Sequence, residues 1–217
     1  MVTCASNGAE VDVESQVRTV YLTADFGAST YKSKLVLEND TGNSIRYSLG
    51  AYVGAHKQVN IKIVRETAPI TFAINSSSIK SQWDDTIISY RLGYFSLGAV
   101  LESTRMESTM SSAPLFTATG TGYGGTVGFM TPLTRFTLLH FEATQATISQ
   151  LQEKDQKDVT FGPRLNIDAG ATVDITKTSL DFMFGYRYMK HTITYQGTSN
   201  AELKTTTYLG FCTGLDF

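Results

Sequence analysis

Lys204 to Phe217 reads KTTTYLGFCTGLDF. Taken backwards in steps of two it yields Phe217, Leu215, Thr213, Phe211, Leu209 and Thr207. The other parity holds Asp216, Gly214, Cys212, Gly210, Tyr208 and Thr206. Side chains alternate across a strand, so one face here is mostly apolar and the other small or polar. A water-soluble domain is expected to carry a polar tail past its last strand. This sequence stops on the aromatic.

The same alternation runs upstream. Val159, Phe161, Pro163, Leu165, Ile167, Ala169, Ala171 and Val173 share one parity, opposite Asp158, Thr160, Gly162, Arg164, Asn166 and Asp168. Leu180, Phe182, Phe184, Tyr186 and Tyr188 oppose Asp181, Met183, Gly185, Arg187 and His191. From Val17 onward the chain is a series of such segments separated by turn residues, with no convincing helix. Twelve segments are predicted, or ten if the weak region 57–80 is partly loop, with eight the poorest fit. Short turns are predicted at 39–43, 93–95, 131–134 and 174–178, and longer polar loops at 106–119, 149–157 and 192–203. Residues 1–16 are polar, acidic and aperiodic, which predicts a flexible or lumen-inserted lead to a barrel spanning 17–217.

A terminal Phe preceded by alternate apolar residues resembles the closing strand of small bacterial outer-membrane β-barrels. The resemblance covers about Val17 to Phe217 and points to no subfamily. It implies an all-β, closed, antiparallel, up-and-down transmembrane barrel in a bacterial outer membrane. Its surroundings would be membrane lipids and lipopolysaccharide, and the barrel-assembly machinery would insert it. Short periplasmic turns and longer external loops belong to that pattern.

Composition agrees. The 217 residues are 41% hydrophobic, with 18 Gly, 11 Tyr, 12 Phe and only 4 Pro. Mean hydropathy is only -0.09, as expected when apolar and polar residues alternate along membrane strands. No apolar run is long enough for a membrane helix. A net charge of -2 offers no basic surface for nucleic acid. Met1-Val2-Thr3-Cys4 lacks a basic, then apolar, leader and reads as the start of a mature chain.

The polar parity predicts a crowded lumen lined by Asp25, Arg46, Arg91, Glu102, Glu142, Arg164, Asp168, Asp181 and Arg187. Mixed charges and many glycines suit an interior better than a water-facing sheet. Tyr94, Phe95, Phe161, Phe182, Phe184, Tyr186, Tyr188, Phe211 and Phe217 are predicted to face lipid or form its aromatic girdles. Near-balanced charge argues against a strongly ion-selective pore. A porin-like channel and a purely structural barrel therefore stand side by side. A self-assembling or adhesive outer-membrane module and a soluble lipocalin-like barrel are the alternatives, and a homo-oligomer fits the first of these.

No catalytic residue, metal ligand or cofactor is predicted. His140 and Glu142 share a strand face and could serve a lipid hydrolase, but no G-x-S-x-G or HExxH motif accompanies them. His191, beside Lys190, could hold a metal or sense pH, and a solvated loop-end histidine is the plainer reading. Cys212 has lumen parity near one barrel end, where Cys4 also starts. In an oxidising compartment the two could pair and pin the N-terminal lead, or be unrelated thiols.

Overall fold

The structure is a computed structural model that describes residues 19–33, 38–54, 56–72, 77–110, 113–153, 159–175, 180–195 and 197–215. Ten strands lie among them: β1 (Val20–Ser33), β2 (Glu38–Val53), β3 (Val59–Phe72), β4 (Ser77–Leu92), β5 (Phe95–Met110), β6 (Ala113–Thr134), β7 (Thr137–Glu153), β8 (Val159–Asp174), β9 (Leu180–Tyr195) and β10 (Thr198–Leu215). Each pairs antiparallel with its chain neighbours, and β1 pairs with β10 to close the barrel.

The closed ladder explains the fold's viability in lipid. A closed sheet leaves no unpaired edge, and the hydrocarbon offers no water to satisfy one. Closure is staggered. Paired residues followed around the barrel from Lys32 run through Leu203, Lys190, Leu165, Gln145, Gly125, Ala99, Ile88, Ile61 and Ala51 to Val20. The circuit ends twelve residues below its start on β1, the stagger expected of strands tilted by about 40°.

Of the twelve predicted segments, Ser33–Glu38 has its first residue ending β1 and its last beginning β2, and Ile70–Ile79 has its ends in β3 and β4; residues 34–37 and 73–76 between them lie outside the described residues. The predicted turn at 39–43 lies inside β2, although Asn, Asp and Gly carry turn chemistry there. The turn predicted at 131–134 falls two residues later, at 135–136. Strands also continue through much of 106–119 and 192–203: β5 reaches Met110 before β6 begins at Ala113, and β9 reaches Tyr195 before β10 begins at Thr198. These stretches read as loops because their outward residues, such as Glu107 and Thr117, are polar. They are strands because Met106, Phe116, Ile193 and Glu202 of the other parity are buried inside.

The outer face is divided by height. Near the connections 54–58, 93–94, 135–136 and 175–179, here the turn end, large apolar side chains point outward: Leu22, Phe26, Leu49, Ile63, Leu97 and Leu209 are all half-exposed. Toward the opposite, far end, the outward positions become Thr30, Lys32, Thr41, Lys80, Arg105, Thr121 and Lys190. On β1 the apolar stretch runs from Val20 to Ala28, roughly 20 Å of height at this tilt, close to an outer-membrane apolar band. An apolar outside around a charged inside is the inverse of a water-soluble ligand-binding barrel. The far ends of the strands project beyond the belt.

Candidate functional site: a layered lumen

The lumen is built by parity and register, and it has three levels. Nearest the turn end is a cavity of about 190 Å³. One wall is Tyr52 with Tyr21, Met130 and Leu138 packed against it. Tyr21 donates its hydroxyl to Asn60 Oδ1 at 3.0 Å. Deeper in the cavity, Lys62 Nζ holds Glu142 Oε2 at 2.7 Å, and His140 Nε2 lies 3.1 Å from the Tyr208 hydroxyl.

The second level is a belt of buried ions. Arg187 reaches Asp25 at 3.0 Å, Asp168 at 3.2 Å and Glu66 at 3.7 Å. Arg46 also binds Asp168, and Lys204 binds Glu66. Within this belt the register sets two like-charged cross-strand pairs side by side, Asp85 with Glu102 and Glu142 with Asp168. Such pairs repel unless a cation separates them. Arg164, from β8 on the other side of the lumen, lies 2.7 Å from Asp85 and 2.8 Å from Glu102. Lys62 and Arg46 take up the second pair.

Tyr208 is the hinge between these levels. Its hydroxyl donates to Asp168 Oδ1 at 2.8 Å, and the Arg187 guanidinium lies 4.7 Å from its ring centre. The ring fits because Gly185 and Gly170 leave room. A Cβ at Gly185 would lie 2.5 Å from the hydroxyl, and one at Gly170 2.7 Å.

The third level, at the far end, is apolar. Tyr31, Ile70, Ile79, Trp83, Met106, Phe116, Ile148, Val159, Phe161, Met189 and Ile193 form one buried cluster inside the barrel. They come from the far ends of eight strands, so the cluster fills the projecting part of the lumen. Trp83 is 1% exposed and packs at 5.0 Å, ring to ring, against His191.

The predicted lumen residues Asp25, Arg46, Arg91, Glu102, Glu142, Arg164, Asp168, Asp181 and Arg187 all point inward. Their parity is visible in the sequence, but their pairing is not. Lys62, Glu66, Asp85, Lys204 and Tyr208 complete the network and were not predicted. Lys62 and Tyr208 carry the polar parity of their segments, a signal that could have found them. The alternating segment predicted at Val59–Arg65 ends one residue before Glu66.

Tyr94, Phe95, Phe184, Tyr186 and Phe211 are exposed on the outer face, with Phe182 and Tyr188 partly covered beside them. Phe161 is a correction: it is buried inside the barrel. The β8–β9 register shifts between Phe161 and Arg164. An extra residue at such a bulge reverses the facing of everything before it. Gly162 and Pro163 sit at that shift, and Pro163 lacks the N–H a regular ladder would need. His191 is also corrected, from solvated to fully buried. Cys212 lines the cavity, while Cys4, Phe217 and the lead 1–16 lie outside the described residues. Among the described residues no cluster of three or more His, Cys, Asp or Glu could hold a metal ion.

No protein-family model matches this chain, and no curated protein matches it. Solved structures do. Neisserial surface protein A aligns over 91% of this chain and 97% of its own, at TM-score 0.50 and 14% identity. The fold is that of the small bacterial outer-membrane β-barrels. The translocator domain of the autotransporter NalP from Neisseria meningitidis covers 90% of this chain and 88% of its own, at TM-score 0.50 and 11% identity. The β domain of the Bordetella autotransporter Brka covers 91% and 100%, at TM-score 0.52 and 9% identity. At these identities the likeness concerns architecture.

Proposed function

We propose that this chain is an integral barrel of a bacterial outer membrane with a closed lumen, a structural barrel and not a constitutive pore. The observation that carries this reading is the apolar cluster around Trp83, Met106, Ile79 and Phe116, buried inside the far end. A water-filled channel needs a polar lining along its whole length. Here an ion leaving the cavity would first cross a belt of paired charges and then a packed apolar layer. The short-turn end is periplasmic on this reading, and the projecting end faces outward among lipopolysaccharide. His140 and Glu142 are tied to Tyr208 and Lys62, which supports a non-enzymatic role.

Planar-bilayer recording of the refolded protein tests the proposal. Insertion without discrete conductance steps is expected. A steady open channel in salt, seen with the same preparation that shows heat-modifiable gel mobility, would overturn it.

A further inference from the structure

Six cations point into the lumen, and among the described residues five of them meet a carboxylate: Arg46, Lys62, Arg164, Arg187 and Lys204. Arg91 does not. It is 7% exposed and lines the turn-end cavity. Its Nη2 donates to the carbonyl of His56 at 2.7 Å, and its Nε to that of Lys57 at 3.3 Å. These bonds anchor the guanidinium against the β2–β3 connection. They use two of its five N–H donors and neutralise none of its charge. A buried charge without a counter-ion is costly, so its surroundings should offer a place for one.

The surroundings do. Ser96 is the cross-strand partner of Arg91, and Ser89 lies two residues before it on the same face. Ser89 pairs with Asn60, and Asn60 with Tyr52. All four line the cavity. Among the described residues the Tyr52 hydroxyl has only the Met130 sulfur as acceptor, at 3.9 Å. Beside these donors stands the apolar wall of Tyr21, Tyr52, Met130 and Leu138. Four carboxylates also line the cavity: Glu142, on the same row of strands as Arg91 and Ser96, is held by Lys62, Asp25 and Asp168 are held by Arg187, and Asp181 comes from β9 on the opposite wall.

We infer that this cavity is a binding site for a small amphipathic carboxylate, its anionic head on Arg91 and Ser96 and its apolar body on Met130 and Leu138. The space suits that class, because a cavity of about 150 Å³ already accepts benzene and this one is about 190 Å³. A bidentate guanidinium–carboxylate contact would fix the head's orientation. Entry is from the turn end, so the site does not require an open far end.

Benzoate is the probe, with benzylamine as its cationic counterpart. Binding is followed by saturation-transfer NMR on the refolded barrel in detergent. Saturable benzoate binding is expected, with benzylamine at background. R91Q should weaken benzoate at least tenfold while keeping heat-modifiable mobility. L138W, which fills the apolar wall and leaves Arg91 in place, should do the same and serves if R91Q does not fold. The inference fails if benzoate shows no saturable binding, if benzylamine binds equally well, or if a folded variant binds benzoate like the parent. None of these outcomes bears on conductance, so the site and the closed lumen are judged separately.

Discussion

Arg187→Met isolates the ion belt. The side chain is 1% exposed and serves Asp25, Asp168 and Glu66 at once. Methionine keeps the length and removes the charge. Three carboxylates, whose side chains are 9% exposed or less, then share what Arg46 and Lys204 can still supply. Breaking a buried ion network from one side costs about 3–5 kcal/mol, because the remaining charges are left uncompensated. With a urea slope of about 1–3 kcal/mol/M, the unfolding midpoint should fall by at least about 1 M. Trp83 is the single tryptophan of the chain and is fully buried, so its emission reports the transition. Arg65→Met is the control. Arg65 and Asp84 pair at 2.6 Å on the outer surface, with the Arg65 side chain 61% exposed. Such a solvent-screened pair adds little to stability, so R65M should leave the midpoint almost unchanged. Adding Asp25→Asn to R187M should recover part of the loss, since it removes one stranded charge. Equal midpoints for R187M and R65M, with R187M folded, would refute the belt as drawn.

Two further outcomes follow from the layers. Phe211→Arg, in the apolar belt, should destabilise the barrel in lipid vesicles by about 2–4 kcal/mol, whereas Thr205→Arg above the belt should cost about 0–1 kcal/mol; equal costs would mean that the belt is misplaced. Gly185→Ala puts a methyl group against the Tyr208 hydroxyl and the Ala169 carbonyl, each 2.5 Å away. It should cost about 1–3 kcal/mol in the same urea titration, and a cost under about 0.5 kcal/mol would show that Tyr208 does not occupy that notch.

The strand KTTTYLGFCTGLDF and its relatives upstream determined the fold class without any tertiary information. Period two is a local property, and a chain whose apolar parity recurs in every segment must bury or submerge one whole sheet face. Which charges point inward follows from the same parity, hence Asp25, Arg46, Asp168 and Arg187 were legible. Three things were not. Strand ends were hidden where the outer face leaves lipid for water, because threonine and charge on both sides of a strand look like loop. The facing of Phe161 was hidden by a bulge, since one extra residue leaves no mark on the composition yet reverses the pleat. The partners of each ion were hidden by the twelve-residue stagger. That stagger brings Arg164 of β8 to Asp85 of β4, and Arg187 of β9 to Glu66 of β3. Closure is long-range: the contact of β1 with β10 sets every height in the lumen. Local sequence therefore decided what each strand is, and only the closed barrel decided what each lumen side chain meets, including that Arg91 meets no carboxylate among the described residues.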